Sequence, residues 1–229
     1  MAGLRVGTGG GLRWWPILLF VLYLGYYWIS NQHEVPISGR TQLVDLSREQ
    51  ESALGLQSYR QILAQERVVR SGPQVEAVRE IGRRLVAAAR EIAPEVPWQH
   101  FEWEFNLVES EQANAFALPG GKVAIYTGIL PITANADGLA AVMGHEIAHA
   151  IARHGAERMA TQRLVQLGSM AAGMSLSDMD PSTQRTVMAA IGAGAQYGVL
   201  LPFSRDHENE ADSIGLLLAA RACFDPREA

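Results

Sequence analysis

The 229-residue sequence has one cysteine, Cys223, so it cannot close an internal disulfide and lacks the paired cysteines of a zinc finger or ribbon. Cysteine usage therefore leaves the compartment open. Runs of Lys and Arg are also missing. A formal net charge of -5 and a pI near 5.7 exclude nucleic acid as the main partner, because phosphate binding needs clustered positive charge. Internal repeats and low-complexity tracts are absent. With 48% hydrophobic and 19% charged residues, the chain can supply a core and is far from the composition of disordered chains. Its length suits one ordinary domain with an appendage and excludes two large domains.

The first feature present is an uncharged stretch, residues 14–30, with Arg5 and Arg13 before it and Asn31, Gln32, His33 and Glu34 after it. Its length is at the lower limit for crossing the hydrocarbon, about 17 residues. Trp14, Trp15, Tyr26, Tyr27 and Trp28 stand at its two ends, where interfacial aromatics belong. Positive charge lies on the amino side only, the next arginine being Arg40. The positive-inside rule then predicts a cytoplasmic stretch 1–13, a single transmembrane anchor 14–30, a linker 31–46 and an exported remainder. A cleaved signal peptide is the rival, but the residues after the apolar run offer no A-x-A-like site. A buried helix of a soluble protein would have to be amphipathic, and this segment is not.

Pro36 and Gly39 mark the linker. Residues 47–66 and 73–92 repeat apolar positions every three or four residues, which predicts two amphipathic helices. Residues 101–108 and 122–130 read as strands, with Leu118, Pro119, Gly120 and Gly121 turning between them. Residues 136 to about 167 form one helical pattern that Asn135 or Asp137 can cap. After a polar break at 175–182 comes a small, apolar stretch, 186–201, and then a last helix that Ser204 or Asp206 can cap. The expected fold class is α+β, mainly helical with a small sheet or hairpin, behind one N-terminal membrane helix.

Within the long helical pattern stand His145, Glu146, Ile147, Ala148 and His149. Residues four apart share a helical face, so both imidazoles can address one zinc ion while Glu146 serves as general base to a water. Two satisfied core histidines are the plainer alternative, but that would bury Glu146 beside them without a partner, which is costly. A hydrolytic zinc site needs a third protein ligand. The metzincin continuation would put Gly at 152 and His at 155, where this chain has Ala152 and Gly155, so that branch is excluded. His154 lies about 180° round an unbroken helix from His145 and is expected to face away as a structural or surface histidine. Downstream, Glu208 and Asp212 share another helical face. Glu208 can supply a carboxylate ligand and Asp212 can accept a hydrogen bond from a coordinating histidine. The same residues also suit the acidic start of a solvated helix, and spacing does not choose between the two.

At these residues the sequence resembles the HtpX-like and CAAX-prenyl-protease-like zinc metallopeptidases, the forty-eighth metallopeptidase family, among the gluzincins. The likeness is carried by Asn114-Ala115-Phe116-Ala117-Leu118-Pro119-Gly120-Gly121, Tyr126-Thr127-Gly128-Ile129-Leu130, Gly144-His145-Glu146-Ile147-Ala148-His149-Ala150, and Ser204-Arg205 with the segment from Glu208 to Gly215. It covers most of residues 47–229 and is closest to the periplasmic assembly-protease and mitochondrial stress-protease subgroup. The resemblance implies one zinc ion per chain held by His145, His149 and Glu208, with Glu146 as catalytic base and Asp212 supporting a ligand. It also implies a metalloendopeptidase in quality control of unfolded or misassembled envelope proteins. The catalytic domain would face the bacterial periplasm, or the mitochondrial intermembrane space in a eukaryote. Asn114, Ala115, Phe116 and Ala117, just before the Pro-Gly-Gly turn, are expected to form a sheet edge where an extended, unfolded substrate pairs through its backbone.

Relatives continue past Phe224-Asp225-Pro226 with further helices and a His or Arg near the oxyanion. Here either the domain is truncated at its C-terminus, or Arg205, His207 or Tyr197 supplies that donor. His149 and Glu208 must also meet on one side of a bilayer, which forbids a single span between them. Residues 187–201 are therefore expected to be a buried or peripheral helix, with a hairpin of two short spans as the alternative. The rival from another class is a membrane-anchored, protease-like chaperone or scaffold keeping a structural zinc. A third reading, a helical membrane protein with an accidental motif, predicts no metal.

Overall fold

A computed structural model describes residues 12–228 of the chain; Arg5 and most of the stretch 1–13 lie outside the described residues, as does Ala229. The fold is α+β and mainly helical. The backbone divides into two compact units. One takes the chain up to Gln32 together with Arg158–Arg205, and the other takes His33–Glu157 with the chain from Asp206 onward.

The first unit is built from α1 (Trp15–Ser30), most of α6 (His154–Ser175) and α7 (Pro181–Ala195), which runs into a π-helical turn, Gln196–Leu200. The polar break ends at Asp180, whose carboxylate accepts hydrogen bonds from the Ser182 and Thr183 backbone N–H groups and so starts α7. Gly168 on α6 lies so near the Phe20 ring of α1 that a Cβ there would sit 3.1 Å from it. The helical run Pro181–Arg221 is long and apolar enough, by length and composition, to cross a membrane, and none of its apolar window is buried. Of the expected buried or peripheral helix at 187–201, the buried form is thereby corrected. Nor does Ser204 or Asp206 cap anything, because helical backbone passes straight through them. Pro202 lacks an N–H and crowds the carbonyl four residues back; the π turn just before it widens the helix there.

The second unit holds the sheet and the core. In place of an irregular linker, residues 32–43 carry two short paired strands, β1 (Gln32–Glu34) and β2 (Thr41–Leu43). Helix α2 (Arg48–Gln65) opens on a capping box in which Ser47 and Gln50 bond each other's backbone N–H. Helix α3 (Pro73–Ile92) buries Val75, Val78, Ile81, Leu85 and Ala89 along one face. Strands β3 (Arg67–Val69), β4 (Glu104–Glu109), β5 (Ala115–Leu118) and β6 (Lys122–Tyr126) form a sheet in the order β3-β4-β6-β5. The β4–β6 pairing is parallel, with Glu104 opposite Lys122 and Val108 opposite Tyr126. The β5–β6 pairing is antiparallel, closed by Gly120 and Gly121 at φ 81° and 85°, a left-handed turn that glycine permits. Leu107, Ile125, Met143, Ile147 and Leu218 form the centre of the core.

After a single-turn α4 (Leu130–Thr133), helix α5 (Ala136–Ile151) starts at Asn135, whose side chain accepts from the Gly138 N–H at 2.9 Å. The single helix expected over 136–167 is in fact broken. Ala152 and Arg153 form a turn, and Arg153 takes φ 62°, which costs a non-glycine residue about 1–2 kcal/mol. Its side chain holds it there: Nε donates to Glu51 at 2.9 Å and Nη2 to the Leu46 carbonyl at 2.7 Å. The chain turns helical again at His154, where α6 begins.

Candidate metal centre

Helix α5 brings His145 and His149 to one face, and α8 (Leu201–Arg221) brings Glu208 and Asp212 to meet them. The two helices approach closely because both contact positions are glycine. A Cβ on Gly144 would lie 2.8 Å from the Gly215 carbonyl oxygen, and one on Gly215 would lie 2.7 Å from the His145 nitrogen. At that separation short side chains reach across. His145 Nε2 and His149 Nε2 are 3.0 Å apart, and Glu208 Oε2 lies 3.3 Å from the first and 3.7 Å from the second. Tetrahedral bonds of about 2.0–2.2 Å to one zinc ion place donor atoms about 3.4 Å apart. The three atoms are therefore spaced as the ligands of a single small cation would be.

The hydrogen bonds behind these atoms assign their protons. His145 Nδ1 lies 2.8 Å from Asp212 Oδ1 and donates to it. His149 Nδ1 is 2.8 Å from His154 Nδ1, and His154 Nε2 is 2.9 Å from Glu210 Oε2. Burial pushes the Glu210 carboxyl up, but hydrogen bonds from His154, Ser38 and Arg40 outweigh it and hold the group at about 2. As a carboxylate, Glu210 can only accept. His154 Nε2 therefore donates, and burial keeps this imidazole below the usual histidine range and neutral. Its Nδ1 then accepts from His149 Nδ1 at 2.8 Å. The two imidazole Nε2 atoms and the Glu208 carboxylate oxygen converge within 3.7 Å of one another, a donor set that could hold one metal ion.

His154 thus does not face away. The helical wheel that turned it outward assumed an unbroken helix, and the turn at Ala152–Arg153 swings it in behind His149. Its ring stacks on His207 at 4.2 Å, and His207 Nε2 donates to Glu157 at 2.9 Å. Arg40 joins the two carboxylates, donating to Glu157 at 2.9 and 2.7 Å and to Glu210 at 2.9 Å, and Ser38 adds a hydrogen bond to Glu210. Sequence reasoning missed this network. Glu210 carries the one readable signal: two residues beyond Glu208 it sits about 200° round the helix, facing the interior. Ser38 and Arg40 come from a segment that reads as linker. Buried and engaged with Glu157, His207 is removed from the candidate oxyanion donors. Tyr197 and Arg205 belong to the first unit.

Glu146 sits beside the cluster. Burial pushes its carboxyl up to about 7, helped by Glu208, against the opposing pull of His145 and of a hydrogen bond from the Ala117 backbone. That bond links the site to β5, at the end of the sheet order; its outer edge pairs with no strand among the described residues. Ala115, Phe116 and Ala117 lie on this strand, and the Asn114 carbonyl accepts from the Tyr126 N–H at 3.0 Å just before it. A cleft of about 520 Å³ opens beside His145 and Asp212, walled by Ile132, Ala141, Val142 and Leu216.

These candidate metal donors, on two helices, stand beside a buried carboxyl and a strand edge. Residues 75–229 match the model of Peptidase family M48, and the chain belongs to that family. Among named proteins it is 36% identical over 208 residues to the mitochondrial metalloendopeptidase OMA1 of Schizosaccharomyces pombe, covering 90% of this chain and 57% of that protein. It is 31% identical to the human mitochondrial metalloendopeptidase OMA1, over 95% of this chain and 41% of the relative. With the β-barrel assembly-enhancing protease of Escherichia coli K12 the identity is 28%, over 84% and 39%. The chain thus spans about four to six tenths of the length of these relatives. Membership of the family implies a metal cofactor.

Proposed function

We propose that the chain is a membrane-anchored zinc metalloendopeptidase that hydrolyses peptide bonds in unfolded or misassembled proteins. His145, His149 and Glu208 would hold one zinc ion, with Asp212 and His154 fixing the two imidazoles. The observation that carries this reading is the convergence of two imidazole nitrogens and a carboxylate oxygen at 3.0, 3.3 and 3.7 Å next to a buried carboxyl. Zinc bound there supplies Lewis acidity, making a water easier to deprotonate and polarising a carbonyl. Glu146, buried beside this donor set, would take a proton from the attacking water and return it to the leaving amine. No covalent intermediate is needed.

The outer edge of β5, residues 115–117, would pair with an extended segment of substrate. That mode accepts flexible or unfolded chain and rejects packed structure. The apolar cleft beside His145 would take a hydrophobic side chain next to the cleaved bond. Residues 14–30 would anchor the protein, with its active site outside the cytoplasm. The names of the relatives, mitochondrial or concerned with β-barrel assembly, support an organellar or envelope setting.

The test is metal analysis and cleavage of unfolded casein by the purified full chain. Wild type is expected to hold one zinc and to cleave; His149→Ala to lose both; Glu146→Gln to keep zinc while cleavage falls by about 10²–10⁴. Equal cleavage by Glu146→Gln overturns the assignment. Zinc without cleavage in wild type would favour the scaffold reading instead.

A further inference from the structure

We propose that the uncovered half of the β4 edge is a docking site for an extended, acidic segment of another protein, which joins the sheet there as a further strand. The place is a groove of about 710 Å³ between α3 and the start of β4, lined by Arg79, Arg83, Val86, Arg90, Trp103 and Phe105 among others. It lies within the second unit, across the sheet order from β5.

The backbone supplies the first observation. Pairing with β6 uses the even-numbered residues of this stretch: the Glu102 and Glu104 N–H groups donate to the Gly120 and Gly121 carbonyls at 2.9 Å. Successive residues of a strand direct their backbone groups to opposite edges, so Trp103 and Phe105 offer theirs on the side of β3. Strand β3 is three residues long and pairs only with Leu107, Val108 and Glu109. Among the described residues no strand pairs with Trp103 or Phe105 on that edge, and the groove opens beside them. An edge left open in this way is a template for another strand. It is also held extended in advance. Phe101, Trp103 and Phe105 stack in a row at 5.3 and 6.1 Å, and a Cβ on Gly82 of α3 would lie 2.5 Å from the Phe105 ring. An edge already ordered lowers the entropy cost of pairing.

Charge selects the occupant. Arg79, Arg83 and Arg90 share one stripe of α3, since steps of four and eleven residues return to within about 40° on a helix. The stripe is about 16 Å long, the reach of about five extended residues. Arg90 lies over the Trp98 ring at 5.7 Å. Arg79 and Arg83 pair with Glu76 and Glu80 of their own helix at 3.4 and 2.6 Å, exposed contacts of the weak kind that an incoming carboxylate can replace. Glu104, also in the lining, is engaged by Asn106 at 2.7 Å and faces Lys122 at 3.7 Å. Positive charge along the edge turns away basic strands and admits acidic ones, whose carboxylates the guanidinium groups bind in pairs of hydrogen bonds. A phosphate or anionic lipid would meet the arginines but leave the strand edge unpaired, which is why a polypeptide fits better.

Fluorescence anisotropy tests this, with the purified full chain and a labelled peptide of alternating Glu and Thr. The peptide is expected to bind, about tenfold more weakly at about 300 mM than at about 50 mM salt, and the matching Lys-Thr peptide is expected not to. Arg83→Glu combined with Arg90→Glu is expected to weaken binding by about tenfold or more, while Arg60→Glu, exposed on α2, leaves it unchanged. The Glu-Thr peptide N-methylated at every residue keeps its charge but cannot donate to a strand, and should not bind. Running each titration on the Glu146→Gln chain as well keeps peptide hydrolysis from passing as lost binding and makes the result independent of the metal centre. Failure of the parent peptide to bind overturns the proposal, as does equal binding of the N-methylated peptide, which would leave a charged surface only. Self-association of the chain that the double substitution abolishes, without peptide binding, would give the edge to a second copy and overturn it too. Arg83→Gln with Arg90→Gln repeats the comparison if the reversed charges prevent accumulation.

Discussion

At the scale of single residues, the direction of a hydrogen bond decides which nitrogen can meet a metal. Asp212 sets His145 directly, whereas Glu210 sets His149 through His154. Without that relay His149 Nδ1 would lose its acceptor and the ring could turn or change tautomer. His154→Ala is expected to lower zinc affinity by about 10–100-fold, read by chelator competition on the full chain. Unchanged affinity would show that His149 is held by packing alone. His145 with His149, and Glu208 with Asp212, were legible because each pair lies four apart on an unbroken helix. His154 was not, since its direction depends on Arg153 leaving the helix, which in turn depends on Glu51, a hundred residues away in sequence.

Between elements, the site depends on how closely α5 and α8 pack. Gly144 and Gly215 let the two backbones touch, and no spacing rule predicts such a contact between helices seventy residues apart. Gly215→Ala would bring a Cβ to 2.7 Å from the His145 backbone nitrogen. The helices must then separate, at a cost of about 1–3 kcal/mol, with zinc lost as Glu208 is carried away. Gly155→Ala, where a Cβ would meet nothing within 4 Å, is expected to be neutral or stabilising by up to about 1 kcal/mol. Thermal melts with zinc analysis separate the two. The helix at 73–92 could be read from its periodicity because it buries one apolar stripe on the core, whereas that at 47–66 buries Glu51, Gly55 and Tyr59. The strands β1 and β2 could not, being three residues each and defined by their pairing.

On the scale of the whole molecule, acid stability follows from the network behind the site. Burial pushes the Glu157 carboxyl up, yet hydrogen bonds from His207 and Arg40 outweigh it and hold the group below its usual 4.5. A depressed carboxyl binds fewer protons folded than unfolded, so its contribution is fully present above about 4.5 and is lost as pH falls through the folded value. Glu157→Gln should cost about 3 kcal/mol near neutral pH, with the gap to wild type closing in acid. Urea midpoints from pH 7 down to 3 check this, and parallel pH profiles would refute it. The sequence by itself determined the family, the uncharged N-terminal helix, the paired histidines and the carboxylate that answers them, because each is written in local spacing that a helix converts directly into direction. Only the tertiary structure decided that His154 turns inward, that Arg40 and Ser38 belong to the support of the site, and that residues 187–201 are left uncovered. Those outcomes depend on where distant segments come to rest against one another, and burial, packing and proton placement exist only once they have.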